Sequence, residues 1–236
     1  MPEVTPRLTV SAPKGPVCGV VLVLHGGRAA STAPVRSRQL AVLRMRPFAA
    51  ALERAGRKGG LAVARLEYLL RGWNGAKQSP VADTRWALDE LSRRFPGAPI
   101  AIVGHSMGGR TAVYVADHPA VRAVVALAPW LEAGDPVAPI AGRRLLVVHG
   151  DRDRITSPRA SAAYARAAER VAQSVSYVAV TGEKHAMLRR ASVWHRLTTE
   201  FVLAVICGKQ PARTVRTDDV GQAIAGALGG EPAMVV

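Results

Sequence analysis

Six strand-length apolar runs recur along this sequence, and they do not alternate strictly between apolar and polar residues. "VCGVVLVL" (17–24) has no polar side chain other than a cysteine. "LAVARLEYL" (61–69), "APIAIVGHS" (98–106), "VRAVVALAP" (121–129), "RRLLVVHGD" (143–151) and "SVSYVAV" (174–180) are built alike. A strand with one wet face alternates; a run apolar at nearly every position is a strand covered on both sides. Helix-length patterns lie between the runs. Residues 80–95 carry Ala87, Leu88, Leu91 and Phe95 on one face. Residues 158–172 begin at Pro158 and place Ala160, Ala163, Tyr164, Ala167 and Val171 on one stripe. Residues 41–55, 107–117 and 193–206 are further predicted helices. Strands alternating with helices specify an α/β fold with a mostly parallel central sheet, right-handed crossovers and helices on both faces. "LTV" (8–10) is expected as a short edge strand.

A chain of 236 residues has enough material for one sizeable core. The reading is one domain over 1–208, then a weakly ordered tail over 209–236 with at most one short helix near 218–228. The longest apolar run is strand-sized and far short of a membrane span, and the N-terminal stretch has no secretory h-region. The expectation is a cytoplasmic protein with no membrane partner. The net charge of +15 comes from 27 Arg and 5 Lys against 17 acidic residues. These cations are scattered, with no basic run and no nucleic-acid-binding motif, so no nucleic-acid partner is expected. Cys18 and Cys207 lie in or beside apolar segments and read as two buried thiols.

In an open parallel sheet, functional groups collect at the carboxyl ends of the strands. The segments just past the runs are therefore informative: "HGGR", "RGWNG", "GHSMGG", "APW", "HGDRD" and "TGEKHAM". "GHSMG" (104–108) matches G-x-S-x-G between a strand and a helix, where a sharp turn lifts a serine hydroxyl above the sheet. Ser106 is the candidate nucleophile, and the Met107 N–H at the start of the next helix is a candidate oxyanion donor. The second donor is expected from Gly27, with Arg28 as the neighbouring choice. A serine needs a base. His185 lies in a loop after the last strand, whereas the rival His195 lies within a predicted helix. The base needs an orienting carboxylate. Asp153 has the longer reach, while Asp151 suits a turn brace.

"HGG", "GHSMGG", "HGDRD" and "GEKHA", in this order, resemble the oxyanion loop, nucleophile elbow, acid loop and histidine loop of the α/β-hydrolase family. The resemblance covers roughly 8–206. It implies Ser106, Asp153 and His185 as a catalytic triad, with Gly27 and Met107 as the oxyanion hole. The chain looks most like small esterases related to dienelactone hydrolases, which carry cysteine in the elbow where this chain has serine. "APW" (128–130) is similar to a stretch of polyester hydrolases. Between "ALAP" and "RRLLVV" there is no room for a cap domain, so the site is expected to be open. Trp130 and Leu131 are expected as an apolar wall, and Trp73 and Asn74 as rim. The expected activity is hydrolysis of small to medium carboxylic esters through an acyl-enzyme, with no metal or other cofactor. Thioester, lactone or amide hydrolysis, acyl transfer, and non-catalytic binding are the alternatives. Oligomeric state is left open.

Overall fold

The computed structural model describes residues 5–209, 222, 223, 225, 226, 229 and 233–236. In chain order the elements are β1 (Arg7–Ser11), β2 (Gly19–Leu24), α1 (Leu40–Gly56), β3 (Leu61–Glu67), α2 (Ser79–Arg94), β4 (Ile100–His105), α3 (Met107–Tyr114), β5 (Val121–Leu127), β6 (Arg144–Gly150), α4 (Pro158–Ala168), β7 (Ser174–Val180), α5 (Ala191–Cys207) and β8 (Ala233–Val235). The sheet order is β1-β3-β2-β4-β5-β6-β7-β8. β1 is antiparallel to β3; every other pairing is parallel.

The non-alternating runs are explained by two-sided burial. Val21 and Val23 of β2 pack with Ala101 and Val103 of β4 and Leu146 and Val148 of β6, in one core with α1 and α5. The intervening Val20, Leu22 and Leu24, with Ile100, Ile102, Leu145 and Val147, fill the opposite core with residues of α2, α3 and α4. Successive side chains of a strand point to opposite faces, so a strand between two helix layers must be apolar at both parities. Each fully buried Val or Leu here contributes roughly 1.5–3 kcal/mol, on both sides of the sheet. The connection from β5 to β6, residues 128–143, holds a single turn of 3-10 helix at Ala138–Ile140, so no cap domain is inserted between these two strands. No helix among the described residues is long and apolar enough to cross a membrane.

Two expectations are corrected. The buried face of α4 is Ser161, Tyr164, Ala165 and Ala168, and the helix ends before Val171, which is exposed. The offset arises because Ser161 is buried as the partner of a buried histidine, and a serine hides a stripe from a count of apolar residues. Cys18 and Cys207 are not free thiols. The start of β2 and the end of α5 meet, with their Cα atoms 5.3 Å apart, and the two residues form a disulfide. Ala233–Val235 adds a parallel edge strand to β7, and the described positions 222, 223, 225, 226 and 229 are helical. The remaining tail residues lie outside the described ones.

Candidate active site

β4 and α3 join at Ser106, which has φ 56° and ψ −118°. A left-handed φ in a non-glycine residue is strained, and here the surroundings enforce it. The Ser106 N–H donates to the Leu127 carbonyl at 3.0 Å, and the Ser106 carbonyl accepts from Arg110 and Trp130, each at 3.1 Å. The flanking glycines are required by close approach. A Cβ on Gly104 would stand 2.7 Å from the Gly109 nitrogen, and one on Gly108 would stand 2.6 Å from the His25 carbonyl oxygen. Strand, elbow and helix pass too closely for side chains, which leaves the serine side chain as the elbow's projecting group. Among the described residues, Ser106 Oγ makes no hydrogen bond.

The loop after β2 reaches the elbow. His25 is buried, with Nδ1 donating to the Gly26 carbonyl at 2.6 Å and Nε2 accepting from the Tyr68 N–H at 3.3 Å. Burial holds its pKa below the ordinary imidazole value, against the opposing effect of the Gly26 bond. The Arg28 N–H donates to the Arg71 carbonyl at 2.8 Å, so it is consumed. The N–H groups of Gly27 and Met107 are not taken up by any carbonyl among the described residues. A Cβ on Gly27 would stand 2.5 Å from the Arg71 carbonyl oxygen and run into the Met107 side chain, so this position admits only glycine without a shift of the loop.

Asp153 and His185 meet across the ends of β6 and β7, with Nδ1 of His185 donating to Oδ2 of Asp153 at 2.8 Å. That bond orients the ring and, in the neutral tautomer it favours, makes Nε2 the acceptor nitrogen. The Asp153 carboxylate is out of solvent. Its Oδ1 accepts from the N–H groups of Ile155 at 2.8 Å and Thr156 at 3.1 Å. Its Oδ2 accepts in addition from Thr156 Oγ1 at 2.9 Å and His149 Nε2 at 3.1 Å. Burial works to raise its pKa, but the bonds from His149, His185, Ile155 and Thr156 outweigh it and hold the carboxyl well below the usual range. Asp151 instead stands exposed and accepts from the Gly182 N–H at 2.7 Å, a turn brace. His195 lies edge-on against Phe48 of α1, 4.5 Å between ring centres, away from Asp153.

Several supporting residues were not singled out in the sequence. His149 is fully buried, and its Nδ1 meets Ser161 Oγ at 2.9 Å. Thr156 Oγ1 lies 3.1 Å from His185 Nδ1. His105 donates Nε2–H to the His185 carbonyl at 3.0 Å and packs its ring 4.7 Å from the His185 ring. Burial, then the neighbouring His185, pushes the His105 pKa down to about 3, so it is neutral. Glu183, wholly buried, accepts from the Arg190 N–H at 2.9 Å and Trp194 Nε1 at 3.2 Å. Arg44 of α1 donates to the Ala186 carbonyl. The only sequence signal for these was polar residues embedded in or beside the motifs.

The four expected binding residues are placed differently from one another. Trp130 keeps part of its ring exposed. Trp73 and Leu131 are buried, 4% exposed each. The Asn74 amide is spent as a loop brace, accepting from Ser31 N–H at 2.9 Å and donating to Gly72 O at 3.1 Å and Ser79 Oγ at 3.0 Å. Arg110 of α3 joins the two tryptophans. Its guanidinium lies 4.6 Å from each ring and is tied to Asp135 at 2.6 Å and Glu132 at 2.8 Å. A cation stacked between two rings and paired to two carboxylates fixes the Trp130 indole.

A model of the family described as serine aminopeptidase, S33, matches residues 70–145, which include the elbow. No curated protein matches the chain. Solved structures match in shape at low identity. Est1E from Butyrivibrio proteoclasticus, solved with ferulic acid, is 16% identical, with a TM-score of 0.63 over 85% of this chain and 95% of that one. XC6422 from Xanthomonas campestris, described as an α/β serine hydrolase without lid, is 17% identical, with a TM-score of 0.60 over 86% and 90%. A monoacylglycerol lipase from Paleococcus ferrophilus is 15% identical, with a TM-score of 0.60 over 84% and 99%.

Proposed function

We propose, from the premise that this chain has the α/β-hydrolase fold without a cap domain, that it is a serine hydrolase of carboxylic esters. The observation that carries the reading is the Asp153–His185 pair, 2.8 Å apart, on the same sheet edge as a serine held at positive φ. Ser106 Oγ attacks the ester carbonyl as Nε2 of His185 takes its proton. The Gly27 and Met107 N–H groups, without a protein acceptor among the described residues, hold the oxyanion, helped by the N-terminus of α3. The imidazolium, stabilised by Asp153, protonates the leaving alcohol. Water then repeats the sequence on the acyl-enzyme. Ser106 and His185 are not hydrogen-bonded to each other, and such contacts tighten when substrate is bound. Trp130 walls the acyl side, with Trp73 and Leu131 beneath it as support.

The esterase and lipase named among the similar structures support ester substrates. The serine-aminopeptidase model favours a second reading, cleavage of amide bonds by the same triad. Ser106→Ala is expected to abolish hydrolysis of short p-nitrophenyl esters and labelling by a fluorophosphonate while leaving thermal unfolding unchanged. Undiminished turnover in that variant overturns the nucleophile. Faster cleavage of aminoacyl arylamides than of matched esters transfers the function to the second reading.

A further inference from the structure

We infer that the groove beside His185 is an anion subsite, and that the esters cleaved here carry a carboxylate or phosphate on their alcohol portion. This rests on the serine-hydrolase reading above. The groove lies between the acid loop (151–155) and the histidine loop (184–186) and has a volume of about 750 Å³. Arg152, Arg154 and Lys184 line it and are exposed. Among the described residues, none of these three side chains has an ion pair or hydrogen bond. Neither carboxylate of the groove is bonded to these cations. Asp153 is turned inward onto His185, His149 and Thr156, and Asp151 accepts from the Gly182 N–H. An adjoining hollow extends the positive edge from Arg154 to Arg159. Ile155, 75% exposed, offers an apolar contact between the cations.

The placement decides which half of the ester carries the charge. His185 lines this groove and also delivers the proton to the departing alcohol, so the alcohol portion must lie against the imidazole. The carbonyl, by contrast, sits over the elbow at Gly27 and Met107. Guanidinium groups present donor pairs that match carboxylate and phosphate oxygens, and the three cations, none in an ion pair, outnumber the one exposed carboxylate of the groove, Asp151, so that the groove draws an anion toward His185. Exposed charges are individually weak and are screened by salt, so the preference is about one order of magnitude in kcat/KM.

The test compares 4-acetoxybenzoate and 4-acetoxyphenyl phosphate with neutral methyl 4-acetoxybenzoate, each rate normalised to hydroxide-catalysed hydrolysis. The anionic esters are expected to lead by about tenfold at low salt, with the lead nearly lost at about 0.5 M NaCl. In the R152Q/R154Q double variant, the anionic-to-neutral ratio is expected to fall close to one. A ratio at or below one in the parent protein, or one that survives the double substitution, overturns the subsite. If no ester is cleaved, the hydrolase reading fails, and calorimetry with 4-hydroxybenzoate decides on the subsite alone. Saturable heat lost in R152Q/R154Q upholds it, and no heat, or heat that persists, overturns it.

Discussion

Replacing Asp153 by Asn probes the proposed triad most sharply, because the structure dictates how the new amide must sit. Oδ1 of Asp153 receives two backbone N–H groups, from Ile155 at 2.8 Å and Thr156 at 3.1 Å. Those donors cannot rotate, so an amide NH2 there would face two N–H groups. The Asn carbonyl oxygen must keep that side, and its NH2 takes the place of Oδ2. There it faces Nδ1 of His185, 2.8 Å from the present oxygen. His185 then turns into the other tautomer, with Nδ1 accepting and the proton on Nε2. A protonated Nε2 cannot take the serine proton. In the trypsin case from which the magnitude is taken, the equivalent tautomer reversal lowers kcat by about 10⁴-fold, or about 5.5 kcal/mol of transition-state stabilisation. Asp151→Asn is the control. That carboxylate is exposed and accepts from the Gly182 N–H, which an Asn oxygen also does, so the change in rate should be less than about threefold. The assay is kcat/KM on a p-nitrophenyl ester at pH 7–8, with circular dichroism to verify folding. A folded Asp153→Asn variant within tenfold of the parent, or a larger loss in Asp151→Asn, would refute the reasoning.

Two further predictions concern stability. His105 is neutral when folded, with its pKa pushed down to about 3 by burial and His185, against about 6.5 in the unfolded chain. Between these values the unfolded state binds the extra proton, so stability falls as pH drops from about 6.5 toward 3, by up to about 1.4 kcal/mol per pH unit. His25, also lowered by burial, adds a loss of the same sign. Urea unfolding of His105→Gln at pH 7, 6 and 5 should show a slope shallower by about one proton, and an unchanged slope counts against the buried neutral imidazole. The Cys18–Cys207 bond spans 189 residues, for which the chain-entropy argument gives an upper value of about 5 kcal/mol. The Cys18→Ser/Cys207→Ser pair should therefore unfold roughly 5–15 °C lower. Uptake of two alkylating groups by the unreduced native chain would rule the bond out.

Much of the layout was legible because it depends on short-range pattern. The apolar runs at both parities required a two-sided sheet, and each glycine-rich strand end marked the edge where a site would form. The serine elbow was legible for the same reason, since its glycines, strand and helix are contiguous. The choice of Asp153 over Asp151 rested on reach along a loop, and it is Asp153 that lies against His185. The supporting shell was not legible. The roles of His149 and Ser161, and of Glu183 and Trp194, rest on partners that their own segments do not show. A buried polar group is tolerable only when paired, and pairing is a property of the packed chain. Cys18 and Cys207 are the extreme case, two apolar-looking positions joined across nearly the whole sequence. Asn74 and Trp73 were visible as loop residues, but that Asn74 braces the loop and Trp73 is buried against a guanidinium depended on Ser31 and Arg110 arriving from other segments. The sequence by itself determined the layers, the edge and the elbow, because strand parity and backbone sterics are local. The tertiary structure alone decided which polar groups meet there, because burial makes each depend on a partner the chain brings from far away.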